Sequence, residues 1–255
     1  MIVLNNYLRR NFKSRHVKKL KTACFKFIQR LHESRHMPME DLSMMVQNFY
    51  IDMSELAQKL KSTSKNFDMY EFLELLEDFV CLQAHGVLFF TRTEEEILDI
   101  SLQNRIRTLH WVADGFLETP LNLDCKTVDE LISDAMIKIS EMNSYKLIRE
   151  KFDCLMKCAT KISEAISAST GGPVSADDFF PTLIYIILKS NPTLMHSNLS
   201  FIRRFSVEFR TFTGETGYYF TTLCSAVSYI QDINANSLQM PDEVFNEFFN
   251  RSVAA

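Results

Sequence analysis

SADDFFPTLIYIILKSNP, residues Ser175 to Pro192, decides how the chain reads. Its middle carries Leu183, Ile184, Ile186, Ile187 and Leu188, too apolar for a helix with one face in water, so the segment belongs inside a core. The polar start has the order of a capping box, with Ser175 followed three residues on by Asp178. Pro181 is better tolerated in the opening turn of a helix than later, and Asn191-Pro192 stops the helix abruptly. A buried helix therefore presents an acidic tip, Asp177 beside Asp178. The plain explanation of two acids there is capping and complementing the helix dipole; the apolar run behind them is what makes the tip worth following.

Downstream, GETGYYFT (214–221) is a tight glycine turn opening into an apolar helix with two adjacent tyrosines. Neighbouring helical residues point about 100° apart, so one tyrosine can be core while the other faces out. Upstream, Val17, Leu20, Cys24, Phe27, Ile28 and Leu31 recur at three- and four-residue spacing, a helical stripe ended by Pro38. Further helices are predicted over 42–60 and 69–88, and from Thr93, with Glu94, Glu95 and Glu96 in the first turn, through Ile97, Ile100 and Ile106 toward Trp111. The second half predicts helices over 128–142, 148–167, 179–189, 199–209, 218–233 and 241–249. All six glycines are placed between apolar-periodic segments. The expected fold is all-α: an N-terminal helical bundle over 1–112 and a layered, all-helical domain over 113–255, joined near Pro120.

Composition narrows the function. At 46% hydrophobic and 24% charged, the 255 residues have an ordinary globular balance. No apolar run approaches the roughly 18 residues that span a bilayer, and MIVLNNYLRR is too short and too quickly basic for a secretory signal, so a cytosolic protein is expected. Six cysteines include no C-x-x-C pair and mostly sit on apolar faces, where a free thiol is a small hydrophobe in a reducing compartment. The net charge of −4 hides an asymmetry: residues 1–30 carry nine Lys or Arg and no acid. The acidic remainder argues against nucleic acid as a partner. The basic first helix either contacts anionic lipid peripherally or is a solvated face.

The strings ASADDFFP, LIYIILKSNP, SNLSFI and GETGYYFT, in that order, together with RIRTLHWV (105–112), resemble the vacuolar protein sorting nine (VPS-nine) family of guanine-nucleotide exchange factors, in the arrangement where a helical bundle precedes the VPS-nine domain. The resemblance covers roughly residues 95 to 250 well and the bundle loosely. It implies exchange on small GTPases of the Rab-five subfamily at early endosomes, without covalent chemistry, cofactor or metal. It also implies roles: Asp177 as an acidic finger that engages the partner's phosphate-loop lysine, Tyr218 beside it as the second catalytic residue, and Pro181, Ile184 and Thr221 as partner-binding residues. Departures are Ile148, where relatives commonly have proline, Glu150, where they have aspartate, and the segment 206–213, which does not align.

The sequence also carries two rival readings. His32-Glu33-Ser34-Arg35-His36 is a literal H-E-x-x-H, the zinc-peptidase pattern, but Arg35 puts a cation inside it and Pro38 breaks the helix just beyond. His85, His110 and His196 are isolated, Cys154 and Cys158 share an apolar stripe, and neither G-x-x-x-x-G-K-[ST] nor G-x-S-x-G occurs. The alternative within the resemblance is a non-catalytic GTPase-binding or scaffold module in endosomal trafficking.

Overall fold

Apolar residues at helical spacing become helices throughout the chain. The computed structural model describes residues 2–61, 67–89, 93–209 and 213–254. Among them are eleven α-helices and no strand: α1 (Ile2–Asn11), α2 (Ser14–Glu33), α3 (Met39–Leu60), α4 (Met69–Leu88), α5 (Thr93–Thr108), α6 (Lys126–Glu141), α7 (Ile148–Thr170), α8 (Ala176–Ser190), α9 (Met195–Phe205), α10 (Gly214–Asp232) and α11 (Asp242–Ala254). The all-α expectation holds. No described helix is long and apolar enough to cross a membrane.

The chain divides into two compact units, residues 1–90 with 146–149 and 200–211, and residues 91–145 with 150–199 and 212–255. This differs from the expected boundary at 112: α5, read as the fourth bundle helix, groups with the second unit. The reason lies in its buried face. Asp99, Leu102, Ile106 and Leu109 are buried, whereas Ile97 and Ile100, read as its core stripe, are 60% and 49% exposed. An acid inside the stripe defeats a pattern search for apolar residues. Asp99 accepts hydrogen bonds from the Ser197 backbone N–H (3.1 Å) and hydroxyl, and so caps the first turn of α9.

In the first unit α4 packs against α1, α2 and α3. Phe72, Leu76, Phe79, Val80, Ala84 and Leu88 bury it on several sides, each large side chain contributing about 1.5–3 kcal/mol. Phe27 of α2 and Phe49 of α3 stack at 3.8 Å. The helix α1 lies outside the predicted elements, although Leu4, Tyr7, Leu8 and Asn11 form its buried stripe at three- and four-residue spacing. Gly86 falls inside α4, not between segments, two residues after a kink at Ala84. Within this unit α3 also holds the end of α9. Ser43, Gln47 and Tyr50 donate to the carbonyls of Arg204, Arg204 and Ser206, and Phe205 respectively, at 2.9–3.1 Å. These are terminal carbonyls that a helix leaves without internal partners. Glu77 accepts from the Val207 N–H at 2.6 Å. The start of the segment that does not align is therefore anchored by polar side chains; 210–212 lie outside the described residues.

In the second unit α8 packs against α5, α6, α10 and the 3-10 turn Asp114–Leu117. Its residues Phe179, Thr182, Leu183, Ile184, Ile186, Ile187 and Leu188 are buried, as the apolar run requires. Asn191 ends it in the left-handed conformation (φ 42°) just before Pro192. The RIRTLHWV stretch is fastened from two sides. The Arg105 guanidinium donates to the Ile230 carbonyl (3.3 Å) and the Ile233 carbonyl at the end of α10, and lies 5.6 Å from the Phe249 ring centroid. Burial pushes its pKa down, with Asp232 opposing. Trp111 stacks on Phe248 at 4.7 Å and meets Phe116 and Phe245 edge-on.

Candidate functional site

Two helix starts build the site. At the first, Ser175 is the N-cap of α8 and the capping box is complete: its Oγ accepts from the Asp178 N–H (3.1 Å), its N–H donates to Asp178 Oδ2 (3.3 Å), and its hydroxyl also reaches Oδ2 (2.6 Å). Asp178 is thereby committed to the helix. Asp177, one residue earlier, is exposed and makes no side-chain hydrogen bond or ion pair among the described residues.

Pro181 stands six residues into α8, beyond the opening turn that suits proline best. Its ring nitrogen has no hydrogen for the carbonyl four residues back, so the Asp177 carbonyl lacks its intrahelical donor. Nearby, Thr182 donates its hydroxyl to the Asp178 carbonyl at 2.8 Å. The first turn is thus held at Asp178 and loose at Asp177, and the same short stretch of chain carries an anchored acid and a free one.

At the second start, Gly214 opens α10 at φ 66°, a conformation glycine takes without strain. Gly217, read as lying outside the helix, is buried in its first turn. The adjacent tyrosines divide as the 100° rule requires. Tyr219 is half-buried with its ring 5.2 Å from Phe179, while Tyr218 is 51% exposed and packs edge-on against Tyr219 at 5.2 Å. Burial raises the Tyr219 pKa, with Glu215 adding to the rise and a hydrogen bond with Ser163 opposing it. Phe180 meets Tyr229 at 6.1 Å. Adjacent residues of α8 thus contact residues ten apart on α10, so α10 crosses the first turn of α8 and the two helix starts meet through Phe179 and Tyr219.

The sequence-derived site residues fall as follows. Asp177, Tyr218 and Thr221 are exposed and Pro181 is half-buried; Asp177 and Pro181 lie in the first two turns of α8, and Tyr218 and Thr221 in the second and third turns of α10. Ile184 is 2% exposed. It lies inside the core that supports the site and has no surface to offer a partner directly. Sequence reasoning left Phe179 and Tyr219 without a role, though they tie the two starts together; the aromatic at each helix entry was the available signal. It also passed over Glu215, an exposed second carboxylate in the first turn of α10. The H-E-x-x-H string does not form a helical pair, because α2 ends at Glu33 and His36 lies in the turn beyond. Among the described residues no cluster of three His, Cys, Asp or Glu could hold a metal ion.

Residues 132–235, from within α6 to just past α10, match the Vacuolar sorting protein 9 (VPS9) domain family. The chain carries a VPS9 domain. It is 36% identical over 225 residues, 88% of its length, to the Rab5 GDP/GTP exchange factor of Bos taurus, and to the same degree to that of Homo sapiens. It is 31% identical over 212 residues to the Vacuolar protein sorting-associated protein 9A of Arabidopsis thaliana, covering 80% of the chain and 40% of that relative. The chain spans about half the length of the mammalian relatives, 46% of each. All the residues gathered at the α8 and α10 starts lie inside the VPS9 domain. Ile148, where the family pattern commonly has proline, is the first residue of α7, a position at which proline and other residues are both accommodated.

Proposed function

We propose that the chain is a guanine-nucleotide exchange factor for small GTPases of the Rab5 subfamily, with Asp177 as the group that displaces nucleotide. The observation that carries this is the division of labour between two neighbouring acids. Asp178 is consumed by the capping box, while Asp177 projects free from the loosened first turn. The names of the mammalian relatives support the substrate class. A carboxylate entering a nucleotide site competes with the β-phosphate for the cation that holds it and repels the phosphates. Nothing covalent is required. The factor accelerates release by holding the nucleotide-free GTPase more tightly than the loaded one.

In this reading Tyr218 and the Pro181 ring form the apolar contact beside the acid, Thr221 extends it one turn along α10, and Ile184 acts indirectly by keeping α8 in place. Removing Asp177 leaves the partner's cation unpaired in a largely dry interface, a loss of about 3–5 kcal/mol, or about 10²–10³-fold or more in rate. The setting is peripheral: a cytoplasmic protein of endocytic traffic at early endosomes, with the basic N-terminal helices contacting membrane. The test is release of a fluorescent GDP analogue from a panel of endosomal GTPases by wild type and Asp177→Ala. Acceleration that the substitution abolishes, in a protein of unchanged helicity, supports exchange. No acceleration of any GTPase by folded wild type sinks it in favour of a scaffold.

A further inference from the structure

The α1–α2 hairpin of the first unit carries an open cleft of about 690 Å³. One stripe of each helix lines it, Asn5 and Arg9 from α1 and Lys18, Lys21, Thr22 and Phe25 from α2, with no carboxylate among the lining residues. None of the nine Lys and Arg of residues 1–30 forms an ion pair among the described residues. Three cations thus face a shared space with no internal counter-charge. Asn5 lines the same cleft, with its Oδ1 shielded from solvent and without a hydrogen-bond donor. At the end of the cleft marked by Asn5, Lys21 and Phe25, the apolar surface is exposed. Phe25 is 50% exposed, and Ile2, one turn before Asn5 on the same stripe, is 76% exposed.

We propose that this cleft takes the phosphorylated, hydroxyl-bearing headgroup of an anionic lipid at a membrane surface. Arg9, Lys18 and Lys21 meet the phosphate oxygens, the Asn5 and Thr22 side chains line the space beside them, and Phe25 with Ile2 enters the boundary between headgroups and acyl chains. The volume lies within the range of sites that enclose small ligands, about 300–1,000 Å³. The proposal rests on the membrane-contact reading above and adds to it a shaped site, where charge alone would give contact without headgroup preference. It is independent of Asp177.

The experiment is co-sedimentation of the full chain with vesicles of phosphatidylcholine alone, with phosphatidylserine, or with a phosphatidylinositol monophosphate, the last two at matched surface charge. The proposal expects binding to the monophosphate vesicles about tenfold tighter than to phosphatidylserine. Lys18→Gln with Lys21→Gln should erase that preference. Lys13→Gln with Lys19→Gln, exposed residues outside the cleft lining, should weaken both anionic vesicles alike, by about fivefold per cation, and keep the preference. GDP release in solution and helicity should be unchanged in both pairs. If the two pairs behave alike, membrane contact stands and the headgroup site falls; if no vesicle binds, both fall. If soluble inositol monophosphate binds as tightly as the vesicles and Phe25→Ser changes nothing, the site serves a free phosphate and the lipid assignment is overturned.

Discussion

Truncating Asp177 and Asp178 separately should produce opposite phenotypes, although the residues are adjacent and chemically identical. Asp178→Ala removes the carboxylate that receives the Ser175 N–H at 3.3 Å and its hydroxyl at 2.6 Å, so half of the capping box is lost. Loss of such a cap costs about 1 kcal/mol, within a range of about 0.5–2. For a chain of this size that lowers the melting midpoint by about 2–4 °C. Asp177→Ala removes an exposed carboxylate without a hydrogen-bond partner, and its stability change should stay within about 0.5 kcal/mol. Exchange should show the reverse order, a loss of about 10²–10³-fold or more for Asp177→Ala and most of the activity kept by Asp178→Ala. The paired assay is thermal unfolding by circular dichroism with GDP-analogue release on the responsive GTPase. If Asp178→Ala abolishes exchange at an unchanged melting midpoint while Asp177→Ala stays active, the assignment of roles to the two acids is wrong. Equal losses in both variants, with both fully folded, would mean that the acidic tip acts as a diffuse charge and not through one positioned carboxylate.

The tyrosine pair should split in the same way. Tyr218→Ala, at an exposed position, should slow exchange about tenfold or more with little change in melting, whereas Tyr219→Ala, which loses the Phe179 contact, should destabilise by about 1–3 kcal/mol; a stability loss confined to Tyr218→Ala would refute the exposures. Pro181→Ala supplies an N–H to the Asp177 carbonyl and should raise stability by about 1–3 kcal/mol while slowing exchange, and an unchanged melting midpoint would show that no backbone bond was missing there. Burial pushes the thiols of Cys24 and Cys158 up to about 12. Native thiols then stay protonated where unfolded ones have ionised, so their contribution to stability is complete below the ordinary thiol range and is lost as pH rises toward about 12. Alkylation read by mass spectrometry near pH 8.5, roughly the ordinary thiol value, should label the half-buried Cys125 and Cys224 in the native protein and spare Cys24 and Cys158 until it unfolds.

Helix positions were largely legible because they depend on local periodicity. The span of α4 agrees with its apolar pattern at both ends, and α3 ends where expected. Three starts were read late: α8 begins at Ala176 where the apolar pattern indicated 179, α9 at Met195 where it indicated 199, and α10 at Gly214 where it indicated 218, whereas those of α4, α5 and α7 agree. A first turn made of capping, glycine or polar residues carries no apolar period, so a search for stripes enters such a helix one turn too far in.

By itself the sequence determined that the protein is all helix, that a buried helix ends in an acidic tip, and that a glycine turn opens a helix with two adjacent tyrosines, because each of these is written in residues within one or two turns of each other. Tertiary structure alone decided which tyrosine is covered, that Ile184 is a support, and that α5 groups with the second unit through the buried Asp99. Those outcomes depend on partners far away in the chain, Phe179 against Tyr219 and Asp99 against Ser197. Which face of a helix is dry is set by what packs on it, and a one-dimensional pattern does not contain that neighbour.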